Sequence, residues 1–314
     1  MNQQTRVAVL CGGPSAEAAV SRVSAQGVAE ALRSENYQVE VIELDHNLHA
    51  KLLASGADVV FPALHGPPGE DGTLQGALEI FGLPYVGSGV MASAIAMNKI
   101  MAKLVFASWN LPLVEQLVVE RENSIETAVS EILRGLGSYV VVKPSSQGSA
   151  LGVTLVEDEA QLAQALSTAF ELDRALLIEK RIDGREITVG VIDTADGPQA
   201  FPVIEITTPK DSWYDYEHRY TAGLFEHLMP ADLPAAQYER LQQIAVTAHR
   251  ALGCRDLSRA DFVVAGDDEE YLLEVNTLPG MTPTSLYPDG ARGYGLSFPA
   301  LMRHFIERAL LRKP

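Results

Sequence analysis

The chain of 314 residues has few cysteines, a deficit of basic residues and no long apolar run. Its two cysteines, Cys11 and Cys254, form no Cys-x-x-Cys pair, which excludes a disulfide framework and disfavours a cysteine zinc site. No stretch approaches the roughly 20 apolar residues of a membrane span. The apolar run at residues 7–11 is too short for a signal peptide. We therefore expect a cytoplasmic protein, in a reducing cytosol, without a membrane partner.

The shortage of positive charge limits the partners further. Lysine and arginine number 24 against 41 aspartates and glutamates, so the formal net charge is −17. Such a chain is repelled by nucleic acid and by anionic membranes, and we expect it to bind neither. An anionic ligand must then be held by a few local cations or by metal ions.

Several familiar signatures are also missing. Gly12-Gly13 stands between a strand and a helix, but without the Gly-x-Gly-x-x-Gly spacing of NAD-dependent dehydrogenases. The sequence has no Gly-Lys dipeptide of a P-loop, no Gly-x-Ser-x-Gly elbow of an α/β-hydrolase and no kinase signature set. His46 and His49 lie in a polar loop without companion ligands, which disfavours zinc.

The apolar segments that are present predict an α/β protein whose first sheet is parallel. Strands alternate with helical patterns in the first part of the chain, at residues 7–10, 39–44 and 59–64. Helical spacing puts Val20, Val23 and Val28 on one apolar face of the first helix. Gly253 is a predicted helix C-cap, and Ser297 is the predicted N-cap of the last helix. Further along, a helix is predicted at residues 94–108 and β-rich runs at residues 138–156, 175–180, 186–192, 260–264 and 270–276.

Two segments beside the first sheet offer polar side chains. Glu17, in the first turn of the first helix, favours the positive helix end and suits a ligand ammonium as well, although this segment alone favours a structural role. The Gly/Pro-rich loop at residues 65–72 carries His65 at the carboxyl end of a strand, where open α/β sheets bind ligands. A solvated turn explains this loop equally well.

The segment at residues 140–153 points to phosphate. Lys143 ends an apolar strand, and a buried lysine is costly unless an anion pairs with it. The Gly/Ser loop that follows has backbone N–H groups and hydroxyls that can wrap a phosphate. A hairpin with a flexible tip is the alternative, but it does not explain why a lysine stands at the end of an apolar strand. Residues 176–182 fit a hinge whose backbone edge can read an adenine, with Glu186 near ribose hydroxyls; taken alone, they are an ordinary strand and turn.

Two later strands predict a metal site. Glu274 and Asn276 are two residues apart, so both lie on one face of their strand, and the same holds for Arg259 and Asp261. If the strands pair, two carboxylates and an amide oxygen converge, a donor set that suits Mg²⁺. A solvated face is disfavoured because both strands are otherwise apolar. The aromatic and charged run at residues 213–220 fits a loop that closes over a polar ligand, or interface packing.

Together these segments resemble the D-alanine–D-alanine ligases of the ATP-grasp superfamily. Seven motifs match in order, at residues 12–21, 65–76, 82–99, 143–152, 179–186, 214–220 and 259–286. The resemblance implies an α/β fold (α+β overall) of three domains, with ATP between the last two. These are a Rossmann-like substrate-binding domain at residues 1–96, a central ATP-grasp domain at 97–186, and a C-terminal ATP-grasp domain at 187–314 that carries the metal and oxyanion site.

The resemblance also implies residue roles for the amino-acid substrates. Glu17 would bind the ammonium of the first D-alanine and form a hydrogen-bonded trio with Ser149 and Tyr220. His65 would lie near that substrate, and Arg259 with the Gly280 N–H would stabilise the oxyanion. Ser285 and Leu286 would contact the second D-alanine.

For the nucleotide, the resemblance implies that Lys99, Lys143 and Arg219 contact the ATP phosphates. Glu179, Lys180 and Ile182 would surround adenine, and Glu186 would meet the ribose. Two Mg²⁺ ions, with Mn²⁺ as a possible substitute, would be held by Asp261, Glu274 and Asn276.

The implied activity joins two D-alanines through a D-alanyl phosphate, releasing ADP and phosphate, for peptidoglycan precursor synthesis. Tyr220 implies D-alanine rather than D-lactate as second substrate, and a homodimer is expected by resemblance alone. Another carboxylate–amine ligase and a non-catalytic nucleotide-binding relative are the alternatives. The sequence departs from the family's usual residues at Ala18-Ala19, Asn98, Gln147, Ala150, Arg219 and Phe225.

Overall fold

The computed structural model describes residues 4–15, 17–148, 150–208 and 226–312. Its strands are β1 Arg6–Cys11, β2 Gln38–Glu43, β3 Val59–Pro62, β4 Gln116–Glu120, β5 Val140–Pro144, β6 Thr154–Val156, β7 Ala175–Lys180, β8 Arg185–Thr194, β9 Gly197–Ala200, β10 Ile204–Thr207, β11 Glu226–Leu228, β12 Leu257–Val264 and β13 Glu270–Asn276. Its helices are α1 Ala18–Ser34, α2 Leu48–Ser55, α3 Thr73–Ile80, α4 Val90–Met97, α5 Lys99–Ser108, α6 Ile125–Gly135, α7 Glu159–Leu172, α8 Ala235–Leu252, α9 Leu286–Gly293 and α10 Phe298–Leu310.

The first sheet is parallel, in the order β2-β1-β3, which confirms the prediction from alternating strands and helices. The predicted apolar face of α1 is partly wrong, because Val23 is 54% exposed. Ser21 lies on the buried face, where its hydroxyl donates to the Ala63 carbonyl at 2.6 Å and accepts from the Gly12 N–H at 2.8 Å. The hydrogen bonds of Ser21 thus determine which side of α1 faces the sheet, and apolar spacing alone predicts that side incorrectly.

The helix predicted at residues 94–108 is wrong as a single element. It breaks at Asn98, where α4 and α5 meet at an angle of 105°. Asn98 has an extended backbone, and its side chain accepts a hydrogen bond from the Met101 N–H, so it is the N-cap of α5. Within the described residues no single helix is long and apolar enough to cross a membrane, whereas α4 and α5 taken together pass that test.

Two antiparallel sheets make up the rest of the molecule. One has the order β4-β7-β5-β6 and contains the hairpin β5–β6; the other has the order β11-β10-β8-β12-β13, with β9 paired to β8. Residues 181–184 connect the two sheets, so the hinge predicted at residues 176–182 overlaps this connection only at residues 181–182, and residues 176–180 belong to β7. The predicted caps are confirmed, because Gly253 is left-handed at φ 69° and the Ser297 hydroxyl accepts from the Ala300 N–H.

The hydrophobic cores do not follow the order of the chain, because one of them joins the first sheet to the last helix. The sheet around β7 encloses a core of its own, built from residues 119–178 with α6 and α7. The first sheet, α1 and the last helix α10 share another core with Leu257 and Tyr287. The domain limits at residues 96 and 186 remain a prediction.

Candidate active site

A cavity of about 100 Å³ lies between the first sheet and the end of β13. Its walls come from α1, the loop after β3, the junction of α4 and α5, the glycine-rich loop, β12, and β13 with the segment after it, so six separate parts of the chain converge here. The predicted residues among its lining are Glu17, His65, Lys99, Arg259, Glu274, Asn276, Gly280 and Ser285.

Glu17 and His65 are buried at the first sheet's edge of this cavity. Glu17 stands immediately before α1 as its N-cap, one residue earlier than the predicted first turn, and its side chain makes no capping hydrogen bond. His65 Nε2 lies 3.2 Å from the Ser24 hydroxyl of α1. Burial lowers the pKa of His65, and the neighbouring Glu17 carboxylate opposes this only in part. The imidazole is therefore neutral at pH 7.

Glu70 lines the same cavity, and the sequence prediction did not include it among the site residues. Its Oε2 accepts a hydrogen bond from the Gly66 N–H at 2.5 Å. Burial, followed by the nearby Glu17 carboxylate, raises the pKa of Glu70 to about 8. The Glu70 carboxyl therefore holds a proton at neutral pH.

Replacing Glu70 by glutamine tests that proton. A carboxyl whose pKa is higher in the folded state makes the fold lose stability as pH rises from about 4.5, the unfolded value, to about 8. Glu70→Gln has the shape of the protonated carboxyl and cannot ionise. We therefore expect the difference in free energy of unfolding, variant minus wild type, to increase as pH rises through that range. The cavity admits water, so the gain should stay below the full slope of about 1.4 kcal/mol per pH unit. Urea unfolding of both proteins at pH 5, 6.5 and 8 measures this difference. A difference that stays the same at all three pH values would contradict the raised pKa of Glu70.

The predicted pairing of the two metal-site strands is confirmed. In the antiparallel register of β12 and β13, Asp261 stands opposite Glu274 and Arg259 opposite Asn276. Asp261 accepts a forked pair of hydrogen bonds from Arg259, at 2.8 and 2.7 Å. It also accepts from the Thr188 hydroxyl at 2.6 Å and from the Asn276 amide at 3.0 Å. One carboxylate therefore links polar side chains of the three strands β8, β12 and β13.

The donor set of Asp261, Glu274 and Asn276 fits a Mg²⁺ ion, because it offers carboxylate and amide oxygens on one face of paired strands. No group of three or more His, Cys, Asp or Glu side chains that would enclose a metal ion occurs in the described part of the chain. An ion held here would thus complete its shell with phosphate oxygens and water, as Mg²⁺ commonly does.

A larger cavity of about 570 Å³ lies between the two antiparallel sheets. The predicted nucleotide and metal residues that line it are Lys99, Lys143, Glu179, Lys180, Ile182, Glu186, Asp261 and Glu274. Leu286, predicted at the second amino acid, lines this cavity, while its neighbour Ser285 lines the small one. The small and large cavities meet at Lys99 and Glu274, whose Nζ and Oε2 are 3.3 Å apart.

Lys143 has the anionic partner that its place on an apolar strand demands. Its ammonium lies 2.5 Å from Oε2 of Glu179, while the other oxygen of Glu179 lies 2.6 Å from the ammonium of Lys103. Burial raises the pKa of Glu179, but Lys103 and Lys143 outweigh it and lower that pKa to about 2. Glu179 is therefore a carboxylate at any physiological pH, held between two lysines.

Lys99 fastens the glycine-rich loop to the site. Its ammonium donates to the Gln147 carbonyl at 2.7 Å, and its backbone N–H donates to the Ser145 carbonyl at 2.7 Å. Asp173 holds the start of this loop, since it accepts from the Ser145 hydroxyl and the Ser146 N–H, both at 2.8 Å. The departure Gln147 acts here through its backbone, and Asn98 acts as a cap.

The remaining predicted residues have varied surroundings. Lys180 is exposed, and its backbone N–H donates to the Glu115 carbonyl. Gly280 is closely packed, because an added Cβ would meet the Ser285 hydroxyl at 2.8 Å. Ser149, Arg219 and Tyr220 lie outside the described residues, so the predicted trio with Glu17 and the third phosphate contact stay predictions.

A parallel-sheet unit followed by two antiparallel sheets that enclose a cavity of lysines and carboxylates is the architecture of an ATP-grasp ligase. The family model described as the C-terminus of D-ala D-ala ligase matches residues 105–307, and the model of its N-terminus matches residues 47–88. The chain belongs to the D-alanine–D-alanine ligase family, which confirms the resemblance found in the sequence and the predicted fold class.

Individual relatives agree with the family models. The D-alanine–D-alanine ligase of Geobacter sulfurreducens is 45% identical over 309 residues, 98% of this chain and 95% of the relative. That of Halalkalibacterium halodurans is 42% identical over 97% of this chain and 99% of its own length. The solved D-alanine–D-alanine ligase of Bacillus anthracis complexed with ATP superposes with a TM-score of 0.84 at 32% identity, covering 98% of each chain.

Proposed function

We propose that this chain joins two molecules of D-alanine in an ATP-dependent reaction that serves cell-wall synthesis. Its membership of the ligase family confirms the predicted enzyme class. The observation that carries the proposal is the junction of the two cavities at Lys99 and Glu274, because the small cavity suits an amino acid and the large one a nucleotide. A carboxylate in the first would face a phosphate in the second at this junction.

The proposed reaction has two steps. The carboxylate of the first D-alanine attacks the γ-phosphate, ADP leaves, and an acyl phosphate remains. The amine of the second D-alanine then attacks the acyl carbon, loses a proton, and phosphate leaves. Because two anions meet in the first step, Lys99 and Lys143 would neutralise phosphate charge. In the second step, Arg259 and the Gly280 N–H would receive the charge that grows on the former carbonyl oxygen.

The other roles of the site residues follow the same division. Glu17 would hold the ammonium of the first D-alanine, with His65 beside it, and Ser285 and Leu286 would contact the second. Glu179, Lys180 and Ile182 would hold the adenine, and Glu186 the ribose. The family uses ATP and a divalent metal; we propose two Mg²⁺ ions on Asp261, Glu274 and Asn276, replaceable by Mn²⁺. Bound there, they would screen phosphate charge.

Product analysis tests the proposal. Protein, ATP and Mg²⁺ are incubated with D-alanine, with L-alanine, or with D-alanine plus D-lactate, and ADP release is followed with mass analysis of products. We expect ADP release to depend on D-alanine and to yield D-alanyl-D-alanine. Because Tyr220 implies an amine as second substrate, D-alanyl-D-lactate should be absent at neutral pH. ADP release without the dipeptide would overturn the proposal. The homodimer and the cytosolic location stay predictions.

A further inference from the structure

Lys103 is a buried charge for which the proposed reaction has no role. It belongs to α5 and is 1% exposed, and it is among the largest fully buried side chains. An unpaired ammonium in such a place would be very costly, so its partners must stay with it. The described residues give it two: the Glu179 carboxylate at 2.6 Å and the Leu272 carbonyl of β13 at 2.8 Å.

The two lysines on Glu179 differ in their freedom. Lys143 lines the large cavity, where phosphates would compete with Glu179 for its ammonium, and its side chain is 15% exposed. Lys103 does not line that cavity and is fixed between two strands. When a nucleotide draws Lys143 toward its phosphates, Lys103 is the cation that remains on the carboxylate.

The geometry also leaves one oxygen of Glu179 for a ligand. Glu179 lines the large cavity, and its Oε1 is buried against the Lys103 ammonium at 2.6 Å. Its Oε2 is the oxygen on Lys143, at 2.5 Å, and this oxygen would be free to accept once Lys143 turns to the phosphates. A carboxylate accepts hydrogen bonds and does not donate them. In the wall of the nucleotide cavity it would accept from an amino group on the base, and it would repel a carbonyl oxygen at the same place.

We propose that Lys103 is a positioning residue that holds Glu179 charged and oriented toward the nucleobase, and so makes the enzyme prefer a 6-amino purine over a 6-oxo purine. This inference rests on the proposed nucleotide site. Lys103 touches neither substrate nor reacting atoms; it acts through Glu179.

The test compares ATP with inosine triphosphate, which carries an oxygen in place of the amino group. In Lys103→Met we expect the KM for ATP to rise ~10–100-fold, the range for a lost hydrogen bond to a charged group, with a smaller change in kcat. The ATP preference over inosine triphosphate should fall by a similar factor. Calorimetry with ADP and inosine diphosphate should give the same loss of preference without turnover. Lys51→Met, which removes an exposed lysine paired with Asp45, should leave all of these values unchanged.

A general loss of stability would lower kcat for both nucleotides alike and keep their ratio, and that result would overturn the proposal. If Lys103→Met does not fold, the double variant Lys103→Met/Glu179→Gln removes both buried charges and takes its place. Since glutamine can accept or donate, this variant should bind both diphosphates almost equally, and a retained ADP preference would overturn the proposal. Failure of the wild type to form the dipeptide is a separate result, which concerns the reaction and not this residue.

Discussion

Replacing Arg259 by alanine should reduce turnover by ~10²–10³-fold, the effect of removing one donor from an oxyanion site, while the affinity for ATP changes little. The structure explains the separation. Arg259 lines the small cavity and not the large one, and its guanidinium is fixed by two hydrogen bonds to Asp261. A donor fixed in advance costs no reorganisation when charge develops on the reacting carbonyl oxygen.

Steady-state phosphate release and calorimetric ATP binding measure the two effects separately. Arg259→Lys keeps the charge but loses the planar fork, so its turnover should fall between wild type and Arg259→Ala. Arg292→Ala is the matched control, because Arg292 is an exposed arginine paired with Asp289 of α9 and lines neither cavity. Unchanged turnover in Arg259→Ala would remove this residue from the oxyanion site.

Asp261→Asn should lower turnover by ~10²-fold or more and raise the Mg²⁺ concentration needed for half-maximal rate, because metal stabilisation of transition-state charge is worth several kcal/mol. Asparagine has nearly the same shape as aspartate, but its NH₂ group is a donor, and the groups around this position are donors as well. Asp261 accepts hydrogen bonds on both oxygens, from Arg259, Thr188 and Asn276. An asparagine accepts on one side only and turns an NH₂ group toward donors on the other.

A Mg²⁺ titration of turnover checks this expectation, together with thermal unfolding of the metal-free protein. Asp45→Asn, on an exposed aspartate paired with Lys51, controls for the general loss of one negative charge. If Asp261→Asn keeps the wild-type Mg²⁺ dependence, the metal is not held at β12 and β13.

The sequence predicted best those parts of the fold that repeat a local period. The two-residue spacing of Glu274 and Asn276 placed both on one strand face, and pairing with β12 brought Asp261 opposite Glu274. The same kind of reasoning failed at residues 94–108, because Asn98 is compatible with a helix interior by spacing but serves as the cap of a second helix. Val23 was misplaced because the polar partners of Ser21 cannot be seen in an apolar pattern.

Two ionisable side chains near the site, Lys103 and Glu70, escaped prediction for a common physical reason. Lys103 and Glu70 depend on partners far away in sequence, such as Glu179 for Lys103 and Glu17 for Glu70. One local signal was present, since Lys103 stands beside Ala102 and three residues before Phe106, on the buried side of α5. A lysine in that position is a candidate for a buried ion pair, but only the tertiary structure identifies the carboxylate.

The sharing of a core between the first sheet and the last helix affects the order in which the chain can fold as it is synthesised. The apolar side of β1 and α1 is covered by Leu301, Phe305 and Ile306 of α10. That side therefore stays open until α10 has been synthesised. The core at residues 119–178 has all its partners within its own segment and can close earlier. The sheet of β4, β7, β5 and β6 would then be formed before the core that the first sheet shares with α10.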